Sequence, residues 1–392
     1  MSFLAFDVFW IGVCVVLYTY LGYGVVIFLL SRIKTQPKAI TPQKDEEWPE
    51  ATMIVAAYNE EGYIEEKIRD TLALDYPAGK LTFFIVTDGS TDRTPDIIGK
   101  YPQVKLFHEA ARRGKIHAVN RVMKFVSTPI VIFSDANTGL NREAVKNIVR
   151  HYQDEKVGGV AGEKRILKKD EDNASGSGEG LYWKYESFLK KKDSDVNSVI
   201  GAAGELFSLR TNLYEEPAEN MLIEDFYISV KITMNGYRFV YEPDAYAIET
   251  ASASVGEEWK RKVRISAGGF QAMVKLRALL NPLRYGLLSF QYISHRVLRW
   301  TLAPLCLPLI FISNVILAVE GFSFYQLTLA LQLFFYGIGF AGYLLQDKKI
   351  SIKGFFVPYY FIVMNLSVFF GFFRFLNNKQ SVVWEKAKRA TA

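Results

Sequence analysis

Cysteine is nearly absent, two in 392 residues, and both copies, Cys14 and Cys306, lie inside apolar stretches. That excludes a disulfide framework and a cysteine zinc site. Positive charge is missing at the start: no Lys or Arg precedes the uncharged run 8–30, whereas Arg32, Lys34, Lys38 and Lys44 follow it. A cleavable leader carries its positive charge ahead of the apolar core. This run is therefore expected to stay as a membrane helix, with its N-terminus outside and the residues after it in the cytoplasm. Charge is equally absent from 301–319, 322–345 and 354–373, each close to or above the ~20 residues that cross a bilayer. The polar groups of these stretches are uncharged, the amides Asn314 and Asn365 among them, with Glu320 at an end, which disfavours a transporter. No internal repeat occurs.

What is present divides the chain. An apolar N-terminal segment (1–34) leads through a Pro-, Lys- and Glu-containing linker (35–50) to a mixed, charge-rich domain (51–255). A basic, amphipathic stretch suited to the membrane interface (256–300) follows, then the apolar segments (301–373) and a basic tail (374–392). The net charge is a modest +6, with cations gathered at Lys260, Arg261, Lys262, Arg264, Arg296 and Arg299. Beside apolar spans such a cluster suits an anionic membrane face, and no nucleic-acid partner is expected. The reading is a multi-pass protein of an inner or plasma membrane with its domain in the cytoplasm. One conflict stands: one span before the domain and three after it leave the basic tail outside, against the positive-inside rule. Pro358, Asn365 and Gly371 also interrupt 354–373 as a simple span. The stretch KKDEDNASGSGE (168–179) has no large apolar residue and is expected to form a surface loop.

Within the domain, apolar runs at 52–57, 82–86, 104–107 and 129–133 alternate with helical patterns at 61–74, 94–100 and 115–125. This alternation predicts an α/β fold with a mostly parallel sheet. Ligands of such sheets bind beyond the carboxyl ends of the strands. The residues there are Tyr58-Asn59-Glu60, Thr87-Asp88-Gly89-Ser90 and Ser134-Asp135-Ala136-Asn137, each group carrying an acid. One Asp after a strand is a commonplace cap or turn; three acidic loops at one sheet edge point to a shared ligand.

Five segments then occur in order: AAYNEEG (56–62), VTDGSTD (86–92), RRGKIHAVN (112–120), SDANT (134–138) and IEDF (223–226). Their order and spacing over about 52–271 resemble the family 2 glycosyltransferases. The flanking apolar segments resemble the membrane-integrated branch that includes cellulose, hyaluronan and poly-N-acetylglucosamine synthases. The resemblance implies a GT-A fold and transfer of a sugar, with inversion, from a nucleotide donor, UDP-linked in the first instance. The acceptor would be a hydroxyl of a surface glycan or glycolipid, with an accessory export subunit as a further partner. It also implies roles. Ala57, Asn59 and Glu60 would border the nucleotide pocket, Asp88 would bind the uridine part and Lys115 would contact the nucleotide. Asp135 and Asn137 would hold a divalent ion, Mg²⁺ or Mn²⁺, with the donor diphosphate. Asp225, with Glu224 beside it, would be the general base that takes the acceptor proton.

Two departures from the family pattern matter. Its usual Gln-x-x-Arg-Trp is matched here by Arg261-Lys-Val-Arg264-Ile265. Arg261 and Arg264 would serve the donor phosphates, but Ile265 offers no aromatic face for a sugar, which weighs against processive synthesis. The usual second acid of Asp-x-Asp is Asn137, a neutral oxygen ligand without the charge that strengthens metal binding. Two other readings remain at this level: transfer to a polyprenyl phosphate, and a nucleotide-sensing membrane protein or transporter.

Overall fold

The computed structural model describes residues 2–34, 44–167, 174–250, 255–345 and 353–377. The central domain is built on strands β1 (Ala51–Ala57), β2 (Leu81–Asp88), β3 (Val104–Glu109), β4 (Ile130–Asp135), β5 (Gly139–Leu140), β6 (Val157–Leu167), β7 (Leu206–Arg210) and β8 (Arg238–Thr250). They form one sheet in the order β3-β2-β1-β4-β7-β6-β8-β5. Pairings β1/β2, β1/β4, β2/β3 and β6/β8 are parallel, whereas β4/β7, β6/β7 and β5/β8 are antiparallel. The expected parallel character therefore holds for the half that carries the acidic loops, and β7 introduces the antiparallel half.

The apolar runs become strands because helices cover both faces of the sheet. Every residue of β1 is buried, as a central parallel strand requires. Alternate β1 residues enter two cores: Met53 and Val55 meet Ile64 and Ile68, while Ile54 meets Val119 and Val122 on the other side. The flanking helices used below are α3 (Ile64–Leu72), α4 (Lys115–Met123), α5 (Ala174–Val196), α6 (Glu224–Met234) and α7 (Val255–Lys275). Three boundaries shift in a way that bears on function. β2 and β4 run on through Asp88 and Asp135, so both acids are the last residues of strands and share the rigidity of the sheet. Helix α3 starts only at Ile64, because Tyr63 closes a turn onto the Glu60 carbonyl.

The apolar segments are helical. Helices α1 (Phe3–Leu17) and α2 (Tyr23–Ile33) run together through a short π-helical turn, and α8 (Leu302–Val319), α9 (Ser323–Leu345) and α10 (Lys353–Leu376) follow the domain. Four helical segments are long and apolar enough to cross a membrane. Of the expected linker, 35–43 lies outside the described residues, as do 168–173 of the expected surface loop and 378–392 of the basic tail; residues 174–179 belong to the start of α5.

The stretch 256–300 departs from the expectation of a basic face turned to lipid. Arg261 and Lys262 lie 2.9 and 3.5 Å from Glu258, and Arg296 and Arg299 lie 2.5 and 3.1 Å from the buried Glu186 of α5. The physical reason is desolvation: these cations enter the seam between the domain and the apolar helices, where a charge is tolerated only with a partner. Their sign and the nearby Glu258 were visible along the chain, but Glu186 on α5, the partner of Arg296 and Arg299, was not.

Candidate active site

A cavity of about 750 Å³ opens at the carboxyl edge of β1 and β4 and extends toward the apolar helices. Eight expected site residues line it: Glu60, Lys115, Asp135, Asn137, Glu224, Asp225, Arg261 and Arg264. Gly204, just before β7, shows how closely three of them converge. A methyl group there would lie 3.2 Å from Lys115 Nζ, 3.4 Å from Asp225 Oδ2 and 3.7 Å from Asp135 Oδ2. The strand edge, the α4 terminus and the α6 terminus thus deliver two acids and a cation to one point.

Lys115 Nζ donates to Asp135 Oδ1 at 2.8 Å and lies 3.2 Å from Glu224 Oε1. Burial alone would lower its pKa, but the charges of Asp135 and Glu224 outweigh it and hold the ammonium protonated. Burial raises the carboxyl pKa of Asp135, and Lys115 opposes that rise. Asp225 sits in the first turn of α6, where its Oδ1 accepts the Phe226 N–H at 2.8 Å. Burial first, and the neighbouring Glu224 second, push its pKa up to about 7. A carboxylate tuned to that range is suited to exchanging a proton near neutral pH.

Three expected residues do not line this cavity. Ala57 belongs to the core beneath the sheet. Asn59, at φ 52°, stitches two loops: its Oδ1 accepts the Thr91 N–H at 2.8 Å, and its own N–H reaches Ser90 Oγ at 3.1 Å. Asp88 spends both oxygens on the next loop, accepting from the Arg113 and Gly114 N–H groups at 2.8 and 2.9 Å. A buried carboxylate takes the nearest backbone donors, so Asp88 shapes the Arg112–Gly114 turn that leads into Lys115. Arg112 in turn stacks on Tyr58, which does line the cavity, 3.6 Å from the ring centre.

At the metal-ligand candidates, Asn137 Nδ2 donates to Glu249 Oε1 at 3.4 Å. Glu249 and Glu205 both pair with the buried Lys164. Among the described residues no group of three or more His, Cys, Asp or Glu is placed to hold a metal ion. The donor set is therefore one carboxylate and one amide oxygen, hard oxygen ligands that fit Mg²⁺ or Mn²⁺ only with further oxygens from a bound diphosphate and water.

Several cavity residues carried no motif. Tyr182, Trp183 and Trp300 supply aromatic rings, and Arg374 supplies a cation from the last apolar helix. Trp300 comes within 2.8 Å of a methyl position at Gly269, one turn past Ile265 on α7. Rings absent at Ile265 thus reach the same cavity from other elements, with Lys262 over the Tyr182 and Trp183 rings and Trp300 packed against α7 and Phe226. Beneath the wall, Lys67 of α3 is buried and donates to Ser134 Oγ at 2.7 Å and to the Thr138 carbonyl at 2.8 Å. It thereby ties together both ends of the segment bearing Asp135 and Asn137; its Lys identity inside an otherwise apolar helix face was the one available signal.

Comparison with known proteins agrees with this architecture. Residues 52–216 match the model of glycosyl transferase family 2. Poly-beta-1,6-N-acetyl-D-glucosamine synthase of Staphylococcus aureus (strain MSSA476) is 29% identical over 238 residues, covering 57% of this chain and 55% of that protein. The synthase of Staphylococcus epidermidis is 26% identical over 234 residues, with the same coverage. The chain therefore spans about half the length of these relatives. Among solved structures, the mannosyltransferase PcManGT from Pyrobaculum calidifontis, in complex with GDP-Man and Mn²⁺, superposes with a TM-score of 0.72 at 22% identity, covering 95% of this chain and 100% of that one. With motifs, sheet and relatives in agreement, the chain carries a glycosyltransferase family 2 domain of the GT-A fold.

Proposed function

We propose that the protein transfers a sugar, with inversion, from a nucleotide donor to a hydroxyl of a glycan or glycolipid at a membrane, with Asp225 as the general base. The observation that carries this reading is the convergence of Asp225, Lys115 and Asp135 on one point of the cavity. In a single displacement the acceptor oxygen attacks the anomeric carbon as the bond to the diphosphate breaks, and the acceptor proton passes to Asp225 Oδ2. The departing diphosphate gathers negative charge, which Lys115, Arg261 and Arg264 are placed along the cavity to offset. Asp135 and Asn137 would hold a divalent ion jointly with the donor, and when bound that ion offsets further charge on the diphosphate. N-acetylglucosamine is the first donor sugar to test, since the similar synthases are named for it.

Asp225 also separates the hydroxyl acceptor from a polyprenyl phosphate. A phosphate oxygen is already anionic and needs no base, whereas a hydroxyl must lose its proton as it attacks.

Asp225→Asn is expected to abolish transfer from labelled nucleotide sugars while nucleotide affinity, measured by calorimetry, changes less than about threefold, roughly 0.6 kcal/mol. Equal loss of both would make Asp225 a structural residue of the helix start and sink its role as base.

A further inference from the structure

The helix ends settle a conflict that hydropathy leaves open. Four crossings would put the end of α10 on the face opposite the domain. Ser2, at the start of α1, donates to Glu320 just past α8 at 2.9 Å, and Trp10 Nε1 donates to the Tyr325 hydroxyl early in α9 at 3.1 Å. Those three ends therefore share the face remote from the domain. At the opposite end of the same helices, Tyr23 binds Asp193 of α5, and Arg299, just before α8, pairs with Glu186. Helix α9, starting on the remote face, returns to the domain face at Leu345. Helix α10 begins beside that end: a methyl group at Gly342 would lie 2.5 Å from the Phe355 carbonyl oxygen.

Its far end is also at the domain. A methyl group at Gly371 would fall 2.5 Å from Ser266 Cβ of α7, and Phe270 meets Phe372 and Phe375 at 5.0 and 6.2 Å between ring centres. Midway, the Tyr20 hydroxyl donates to Asn365 at 2.6 Å, close along α1 and α2 to Tyr18, which bonds Ser294 of the domain side. A helix with both ends on one face has not crossed. Its other side leaves Phe370, Phe373 and Leu376 exposed, as a helix lying in the acyl boundary does.

We propose that α10 is an interfacial helix on the domain's side of the membrane, and that it presents Arg374 to the cavity as a binding residue for a phosphate group of the substrate. Arg374 and Arg264 line the same cavity; burial lowers the Arg264 pKa, Glu224 and Asp225 oppose that fall, and repulsion by the like charge of Arg374 adds to it. A phosphate between two guanidiniums removes that repulsion and accepts charge-assisted hydrogen bonds from both. The chain then crosses three times, and the end of α10 lies with the domain. The phosphate half of the proposal rests on the transfer reaction proposed above; the placement of α10 does not.

Two measurements test it. In a Cys14→Ser, Cys306→Ser background, Glu155→Cys in the domain, Ser323→Cys at the start of α9, and Asn377→Cys after α10 are labelled in sealed vesicles with an impermeant maleimide. Asn377→Cys is expected to label from the same side as Glu155→Cys and opposite to Ser323→Cys; labelling together with Ser323→Cys would overturn the placement, whatever the enzyme does. For Arg374→Ala, made in a protein with the parental labelling pattern, affinity is measured for UDP and for vesicles doped with a polyprenyl phosphate. Loss of about tenfold or more for one probe, with partial rescue by Arg374→Lys, assigns the phosphate to the donor or to a lipid headgroup. Unchanged affinity for both overturns the role of Arg374.

Discussion

Asp225 and Lys115 form a coupled pair of signs at the centre of the site. Burial and Glu224 raise the Asp225 pKa to about 7, and Lys115 pulls against that rise. As the proposed base, Asp225 would work deprotonated, so kcat/KM is expected to climb through about pH 7 and level off above it. The linkage runs the other way for stability. The native carboxyl keeps its proton between the ordinary 3.8 and about 7 while the unfolded one does not, so this group's contribution declines as pH rises through that window. Replacing Lys115 with Met removes the charge that lowers the Asp225 pKa, and the pH–rate profile is expected to shift to higher pH along with a loss of rate. An unshifted profile would show that Lys115 does not act on the base. Asn137→Asp offers a separate check: it adds the missing charge, and metal affinity without nucleotide, followed by calorimetry, is expected to rise. No rise would mean that Asn137 is not a ligand.

At the scale of elements, the segment between β4 and β5 is held from below by helix α3. Lys67 gives its hydrogen bonds to Ser134 and Thr138, which flank Asp135 and Asn137. Burial lowers its pKa to about 7, so the ammonium contributes little stability of its own in that apolar setting. Its value lies in fixing the segment. Lys67→Met, of similar length, is therefore expected to leave the unfolding midpoint nearly unchanged while kcat falls by about tenfold, an activation cost near 1.4 kcal/mol. A large loss of stability with unchanged kcat would make Lys67 a core residue only.

The same scale explains what the chain made legible. Asp135 was readable because it stands at the end of a strand, and parallel-sheet topology gathers such positions at one edge; Lys115 and Asp225 were readable through the resemblance of their segments to the family motifs. Asp88 and Asn59 stood out by the same logic, but their nearest partners proved to be loop backbone, which no pattern of residue types distinguishes from a ligand. Trp183, Trp300 and Arg374 were silent, since they approach from helices distant in sequence and carry no spacing of their own. Ile265 illustrates the consequence: a missing aromatic in one motif said nothing about rings arriving from elsewhere.

For the whole molecule, the question is what fixes the domain to its apolar helices, because a cavity shared between them works only if the seam is rigid. Glu186 of α5 is the hub. It receives Arg296 at 2.5 Å, Arg299 at 3.1 Å and His295 at 3.4 Å, all from the helical stretch that leads into α8. Burial alone would raise its pKa, yet the charge of Arg296 and the presence of His295 hold it well below the carboxylate range. Asp193, two turns further along the same face of α5, adds Tyr23 of α2 and His295 to the same buried network. Removing the Glu186 charge leaves two buried guanidiniums without their carboxylate, a loss of about 3–5 kcal/mol where such pairs are broken singly. Glu186→Leu is therefore expected to lower the thermal midpoint in detergent by several degrees. Adding Arg299→Leu is expected to restore part of it, because that removes one of the orphaned charges. If the double variant were no more stable than the single, Glu186 would not be the group that locks the domain onto its apolar helices.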